Sequence, residues 1–126
     1  MSLITYFCLI LIASYNYAQT SKNITEPTKP IITFVELGSV NCIPCKKMQP
    51  VMKSIESKYG NKIKVIFHDV WTDKGKPYAQ KFKIKLIPTQ IFLDKSGKEF
   101  FRHEGFFSEE DIDKLLQEKG IKPVKK

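Results

Sequence analysis

Residues 31–60 have the sequence IITFVELGSVNCIPCKKMQPVMKSIESKYG, which joins an apolar run to two cysteines and a periodic segment. Its first seven residues are largely apolar and β-branched and lie between a proline and a glycine, which predicts a buried strand. After a short loop, residues 43–59 carry apolar side chains at steps of three and four residues, which is typical of an amphipathic helix. Pro50 lies inside this helix and should kink it, because proline lacks a backbone donor and clashes with the preceding turn.

The rest of the chain continues the alternation of strands and helices. A second strand is predicted over residues 63–70, a short helix over 75–82 and a final helix over 108–119. Between the last two helices, strands over residues 89–94 and 98–102 are predicted to form a hairpin. The order β-α-β-α-β-β-α implies one parallel pair with a right-handed crossover, followed by antiparallel strands. The sequence therefore predicts an α/β fold with a mixed four-stranded sheet and helices on both faces.

Two cysteines stand where the loop meets the first helix, in the run Cys42-Ile43-Pro44-Cys45. Disulfide exchange requires a thiolate that solvent can reach. Cys42 is placed for this, because unpaired backbone N–H groups and the helix dipole favour negative charge at a helix N-terminus. Pro44 is tolerated at an early helical position, where its missing donor is not needed. Cys45 lies one turn further in and suits a resolving thiol, which attacks the mixed disulfide.

Two other interpretations of this cysteine pair stay open. The first is an inert structural disulfide, although cysteines so close in sequence do little to join distant parts of a fold. The second is a metal site, since thiolates at this spacing suit Cu(I) or Zn(II). A closed zinc site needs further ligands, and His68 and His103 are the two histidines of the chain.

This arrangement of residues resembles the thioredoxin family. The run Cys42–Lys46 is similar to the active-site motif of that family, and Pro50 stands where the family kinks the same helix. The run Ile87-Pro88-Thr89 is similar to the family's cis-proline loop, and Gly105 precedes the last helix as it does in the family. The resemblance covers about residues 31–120 and implies the three-layer thioredoxin-like fold.

The resemblance also implies roles for individual residues. Cys42 would be the attacking cysteine and Cys45 the resolving one. Glu36, in the strand before the motif, lies where the family keeps a buried acid, and it would accept the Cys45 proton during resolution. Pro88 would be cis and would leave the Ile87 backbone free to pair with an extended polypeptide.

The chain departs from the family pattern near the cysteines. Ile43 and Pro44 complete the predicted substrate-binding set, but Ile43 replaces the glycine of ordinary thioredoxins. Asn41 replaces the tryptophan that usually precedes the first cysteine, so the surface that meets the partner differs. The buried acid is glutamate rather than aspartate, and the segment over residues 70–80 is longer than in compact members. The family's first strand and helix are not evident before residue 31. These departures leave the direction of electron flow open.

The chain has 126 residues, the size of one domain, and a net charge of +8. Its lysines are spread along the chain and no nucleic-acid motif is present, so we expect a solvated basic surface and no nucleic-acid partner. Residues 1–18 contain an apolar run that predicts a signal peptide or, if uncleaved, an N-terminal anchor. Residues 19–30 are predicted to be a polar linker, 31–120 the thioredoxin-like domain and 121–126 a basic C-terminal tail.

These observations predict an exported thiol–disulfide oxidoreductase that is periplasmic or otherwise extracytoplasmic. We expect it to reduce disulfides of client proteins, because Pro44 and the buried acid resemble those of reducing members of the family. The chemistry needs no bound cofactor, and we expect a monomer. The resemblance implies that a membrane protein can supply the electrons. The alternatives are a disulfide-forming oxidase, an isomerase, or a carrier of Cu(I) or Zn(II) that uses the same cysteines.

Overall fold

The computed structural model describes residues 29–124. The helices and strands follow the predicted order β-α-β-α-β-β-α, with a short 3-10 helix after the first α-helix. Their bounds are β1 Ile32–Gly38, α1 Ile43–Tyr59, the 3-10 helix Gly60–Lys62, β2 Ile63–Asp69, α2 Lys76–Lys81, β3 Thr89–Leu93, β4 Glu99–Glu104 and α3 Glu109–Glu118. The predicted leader and most of the predicted linker lie outside the described residues.

The four strands form one mixed sheet in the order β2-β1-β3-β4. β1 pairs in parallel with β2, and the last pair is Gly38 opposite Asp69. β3 pairs antiparallel with both β1 and β4. The ends of β1, β2 and β4 therefore lie together with the start of β3. We call this the cysteine end of the sheet, and it is marked by Gly38, Asp69, Glu104 and Thr89. The predicted mixed four-stranded sheet is confirmed.

Alternate side chains of β1 point to opposite faces of the sheet. Phe34 packs on the face covered by α1 and α3, where its ring stacks on Phe92 with centroids 4.7 Å apart. Val35 and Leu37 pack on the other face, against α2 and the segment that follows it. The larger core lies under α1 and α3, and its fully buried side chains include Met48, Ile55, Tyr59, Ile112 and Leu116. Helices therefore cover both faces, as predicted.

α1 is a continuous helix whose buried face is the one that the sequence predicts. Its buried apolar side chains after the cysteines are Met48, Val51, Met52, Ile55 and Tyr59. Pro50 lies inside the helix on its exposed side, and the helix continues through it, so the kink stays a prediction. Gly60 ends the helix with a φ of +55°, a conformation that favours glycine.

The chain continues to pack on the domain after α3. Ile121 is buried, and the Val124 N–H donates a hydrogen bond of 3.0 Å to the Lys58 carbonyl. The first residues of the predicted basic tail therefore contact α1. Among residues 29–124, no helix combines the length and the apolar character needed to cross a bilayer.

The turn between β2 and α2 is closed by hydrogen bonds between its own residues. The Asp69 carbonyl accepts from the Thr72 N–H at 3.2 Å and from the Thr72 hydroxyl at 2.7 Å. The Gly75 N–H donates to the Thr72 carbonyl at 3.1 Å. Gly75 lies so close to β2 that a methyl group in its place would stand 1.7 Å from the Asp69 carbonyl oxygen. Only glycine fits there without moving the turn.

Gly75→Ala should therefore destabilise the protein by about 2 kcal/mol, because the turn must open to admit the methyl group. Denaturant unfolding followed by circular dichroism measures the change in the free energy of unfolding. Lys74→Ala, at an exposed position in the same turn, is the control and should change that free energy by less than about 0.5 kcal/mol. Equal stability of Gly75→Ala and the wild type would contradict this account of the turn.

Candidate active site

Cys42 and Cys45 lie at the N-terminus of α1 and form a disulfide, with their Cα atoms 5.2 Å apart. Cys42 is the N-cap residue and has extended backbone angles, whereas Cys45 lies in the first turn of the helix. Cys42 is 7% exposed and Cys45 is 1% exposed. The structure therefore places them in the predicted order, with Cys42 on the outside and Cys45 on the inside.

The N-terminus of α1 favours negative charge on the Cys42 sulfur. The Cys42 side chain makes no capping hydrogen bond, so the first N–H groups of the helix face a thiolate once the disulfide is reduced. Pro44 has no N–H group to leave unpaired in this turn. Lys46 and Lys47 follow Cys45 on the exposed side of the helix, and no acidic residue lies in the first turn. These features suit an attacking thiolate.

Gly38 brings the inner cysteine into contact with the sheet. A methyl group on Gly38 would lie 3.2 Å from Cys45 Sγ and 3.3 Å from Cys45 Cβ, so β1 and the first turn of α1 are closely packed. Because side chains alternate along a strand, Glu36 points to the same face of the sheet as Gly38. Glu36 therefore lies on the face that Cys45 covers, two residues back along β1.

The Glu36 carboxyl group is completely buried. Burial raises its pKa to about 8, and a hydrogen bond from the Gln90 side chain offsets part of that rise. In that bond, Gln90 Nε2 donates to Glu36 Oε1 over 3.4 Å. A carboxyl group with a pKa close to that of a thiol exchanges a proton with it at little cost. The chemistry suits the acceptor role that the resemblance implies, and the role itself stays a prediction.

The Ile87–Pro88 peptide bond is cis, as the resemblance implies. The pairing of β3 with β1 and β4 places this loop at the cysteine end of the sheet, directly before Thr89. The Pro88 carbonyl accepts a hydrogen bond of 2.8 Å from the Gly105 N–H, and the Thr89 hydroxyl donates to the Leu86 carbonyl at 2.7 Å. Pro88 is buried, whereas Ile87 is half-buried. Their part in substrate binding stays a prediction.

With this geometry established, comparison with known proteins identifies the family. Residues 17–120 match the family described as thioredoxin-like domain. The chain belongs to this family. It is 35% identical over 77 residues to the chloroplastic thioredoxin Y of Oryza sativa subsp. japonica, and that alignment covers 61% of this chain and 43% of the rice protein.

Two further comparisons support the membership of this chain in the thioredoxin-like domain family. It is 27% identical to the thioredoxin of Bacillus subtilis (strain 168), over 77% of this chain and 90% of that one. A solved thioredoxin structure from Nicotiana alata matches it with a TM-score of 0.60 and 28% identity, covering 75% of this chain and 77% of that one. The chain is therefore a thioredoxin-like oxidoreductase of the general thiol–disulfide class, with a cysteine pair at the spacing of a dithiol.

No motif in the sequence points to Asp69, which fixes the loop before Cys42 in this thioredoxin-like domain. Its Oδ2 accepts a hydrogen bond of 3.2 Å from the Val40 N–H, and its Oδ1 accepts one of 3.1 Å from the Trp71 N–H. Desolvation raises the pKa of Asp69, but hydrogen bonds from Val40, Trp71 and Ser39 outweigh it and lower the pKa. One carboxylate therefore connects the loop after β1 with the turn after β2.

Five large apolar side chains are exposed around the cysteines, and each belongs to a segment that adjoins the cysteine end of the sheet. We call them the apolar rim, and they are Val40, Ile43, Trp71, Leu86 and Phe106. Ile43 and Trp71 are the most exposed, at 73% and 62%. No periodicity in the sequence connects them, because they come from the start of α1, the loop before it and three other loops that the sheet topology brings to one end.

The two histidines do not join the cysteines as metal ligands. The His68 ring stacks on Tyr78 with centroids 3.5 Å apart. The His103 ring stacks on Phe107, and its Nε2 lies 3.0 Å from the Phe106 carbonyl oxygen. In the described part of the chain, no group of three or more His, Cys, Asp or Glu side chains is arranged to hold a metal ion. These residues therefore supply no closed zinc site.

The raised pKa of Glu36 predicts a pH-dependent stability. The pKa rises from 4.5 to about 8 on folding, so the folded state binds this proton more tightly than the unfolded chain does. The stability that this proton contributes is fully present below pH 4.5 and is lost as the pH rises through about 8. Glu36→Gln removes the titrating group and, with it, this loss.

As the pH rises from 5 to 8, the free energy of unfolding of the wild type should therefore fall relative to that of Glu36→Gln. The difference should change by up to about 1.4 kcal/mol per pH unit. Urea unfolding of the oxidised proteins at a series of pH values measures this difference. Glu56→Gln, on the exposed side of α1, is the control and should show no such trend. A difference that does not change with pH would show that the Glu36 carboxyl group titrates as it does in the unfolded chain.

Proposed function

We propose that this protein reduces disulfide bonds of other proteins outside the cytoplasm, with Cys42 as the attacking thiolate and Cys45 as the resolving thiol. The observation that supports this best is the Cys42–Cys45 disulfide at the N-terminus of α1, on the face of the sheet that buries Glu36. Cis-Pro88 lies at the same end of the sheet. This arrangement supports the roles of nucleophile, resolving thiol and proton acceptor that we assign to Cys42, Cys45 and Glu36.

The proposed reaction starts from the reduced dithiol. The Cys42 thiolate attacks one sulfur of the client disulfide, and the other client sulfur leaves as a thiolate that takes a proton from water. The Glu36 carboxylate then accepts the proton of the Cys45 thiol. The Cys45 thiolate attacks the Cys42 sulfur, and the second client thiolate leaves and is protonated. The client gains two electrons, and the Cys42–Cys45 disulfide of the structure is formed.

The apolar rim indicates the kind of client that the site accepts. An extended polypeptide with apolar residues beside its disulfide would cover the rim and pair with the Ile87 backbone next to cis-Pro88. Lys46 and Lys47 on α1 and Lys85 beside Leu86 are exposed near the rim. These positive charges favour clients with acidic groups near the disulfide, chiefly through the rate of association.

Reduction is proposed over oxidation because of the residues around the disulfide. Pro44 stands at the position where reducing members of the family have proline, and a buried carboxylate promotes the loss of the Cys45 proton, which the reductive direction requires. The proposal that the protein works outside the cytoplasm depends on the apolar run in residues 1–18. An extracytoplasmic reductase needs electrons from across the membrane, so we propose a membrane protein as the donor.

Reduced wild-type protein should reduce insulin disulfides much faster than dithiothreitol alone, and Cys42→Ser should abolish the reaction. In the Cys45→Ser variant, attack by Cys42 should still occur but resolution should not. A mixed disulfide with insulin should therefore accumulate and be visible by electrophoresis without reductant. Cys8→Ser removes the one cysteine outside the pair and should leave the rate unchanged. Wild-type protein that does not accelerate insulin reduction would refute the proposed reductase.

The reduction potential of the Cys42–Cys45 pair separates the reductase from the oxidase alternative. We expect a value near the roughly −270 mV of thioredoxin rather than the roughly −120 mV of strong oxidants, and each ~30 mV changes the equilibrium tenfold. Equilibration in glutathione and dithiothreitol buffers, followed by thiol alkylation and mass spectrometry, measures it. A value near the oxidant end would establish the oxidase. Stoichiometric Cu(I) binding without insulin reduction, lost in Cys42→Ser, would establish the carrier.

Trp71→Ala should raise KM for insulin about tenfold, because removing a large exposed side chain from the rim removes contact area with the client. The rate with a small aromatic disulfide should stay unchanged, since that substrate reaches Cys42 without covering the rim. Ile31→Ala is the matched control, because Ile31 is 45% exposed but precedes β1, away from the cysteine end. Equal effects of the two variants would show that Trp71 is not a contact for the client.

A further inference from the structure

Glu36 and Gln90 form a polar pair enclosed in the interior of the protein. They face each other across β1 and β3, and both side chains are completely buried. Gln90 Nε2 donates to Glu36 Oε1 over 3.4 Å. The second oxygen of each group, Glu36 Oε2 and Gln90 Oε1, has no hydrogen-bond partner among the described residues. A buried polar atom without a partner is costly, so this pair needs an explanation.

The two unpartnered oxygens are explained if Glu36 carries a proton. While the carboxyl group is ionised, Glu36 Oε2 and Gln90 Oε1 are both acceptors and cannot bond to each other. Once Oε2 is protonated, it can donate a hydrogen bond to the amide carbonyl. The acid and the amide then form two bonds, Nε2–H to Oε1 and Oε2–H to Gln90 Oε1. When Glu36 is ionised, the N–H bond alone remains, and it is then charge-assisted. The amide therefore offers a partner to both protonation states.

We propose that Gln90 is a positioning residue that holds the Glu36 carboxyl group in place as it takes and keeps the proton of Cys45. This inference rests on the proposed function. In the resolving step, the Cys45 S–H bond breaks, and the proton passes to the Glu36 carboxylate. The resulting Oε2–H donates to Gln90 Oε1, while the Cys45 electron pair forms the bond to Cys42 and the client thiolate leaves. The proton returns when the disulfide is next reduced.

The surroundings of the pair fit this inference. Phe67 on β2 is the neighbour of Glu36 on its other side in the sheet, so Gln90 is the polar neighbour in that row. Cys45 on α1 covers the same face through its contact with Gly38. The other titratable group in the row is His103 on β4, which pairs with Gln90 in the sheet but points its Nε2 to the Phe106 carbonyl. The Cys45 thiol is therefore the proton source that lies nearest to the carboxyl group by topology.

The test compares Gln90→Met, which removes the amide at similar volume, with Gln80→Met on the exposed side of α2. Rapid mixing of reduced protein with a disulfide peptide separates attack by Cys42 from release of the peptide by Cys45. In the Gln90→Met variant, the release rate at pH 7 should fall about tenfold, and its pH midpoint should move up by about one unit, because the ionised carboxyl group loses its charge-assisted donor. The attack rate should stay unchanged, and Gln80→Met should behave as the wild type.

A second measurement needs no variant of Gln90. In the oxidised wild-type protein, the NMR signals of the Gln90 side-chain amide should shift with pH at the midpoint of the Glu36 carboxyl carbon, and this shift should vanish in Glu36→Gln. Gln90 signals that do not follow the Glu36 titration, or equal slowing of attack and release in Gln90→Met, would overturn the inference. Failure of the wild type to reduce the peptide would refute the proposed function. The NMR titration would still decide whether the Gln90 amide responds to the protonation of Glu36.

Discussion

The contact between Gly38 and Cys45 is the constraint on which the site depends. Because Gly38, the last residue of β1, has no side chain, the first turn of α1 lies closely against the sheet, and a methyl group on Gly38 would stand only 3.2 Å from Cys45 Sγ. That contact places Cys45 on the inside and leaves Cys42 at the helix N-cap, where backbone N–H groups favour a thiolate. It also keeps the face of the sheet above Glu36 covered. The two cysteines and the buried acid are thus arranged by one close approach of backbone and side chain.

Burying Glu36 lowers the stability of the fold at pH values where its carboxyl group is ionised. The rise of its pKa from 4.5 to about 8 corresponds to roughly 5 kcal/mol at pH values where the group must be ionised. That is a large fraction of the 5–15 kcal/mol by which a domain is usually stable. A neutral carboxyl group avoids most of this cost, so the folded protein favours the state in which Glu36 holds a proton. The apolar core beneath α1 and α3 tolerates an acid because the acid is neutral at pH values below its raised pKa.

Most of the fold was predictable, because its signals lie between residues close in sequence. The apolar runs predict β1 and α1, and the spacing of Cys42 and Cys45 predicts their order at the helix N-terminus. Gln90 was not predictable, because a lone glutamine in an apolar strand has no local signature, and its partner is 54 residues away. The bond from Val40 to Asp69 spans 29 residues and depends equally on strand register. Local sequence patterns predict helices and strands, whereas hydrogen bonds between distant polar residues can be predicted only once the strand order and register are known.

The same topology places an exposed aromatic side chain close to the loop before Cys42. Asn41 stands where a tryptophan is usual, and Trp71 supplies an exposed indole from the turn after β2 instead. Because β2 runs parallel to β1, that turn opens at the same end of the sheet as the loop before Cys42. Asp69 bonds to the backbone of both segments, so the indole and the loop keep a fixed relation. The exposed indole is therefore held by the turn after β2 and by Asp69, whereas the contact that positions Cys45 is made by Gly38 on β1.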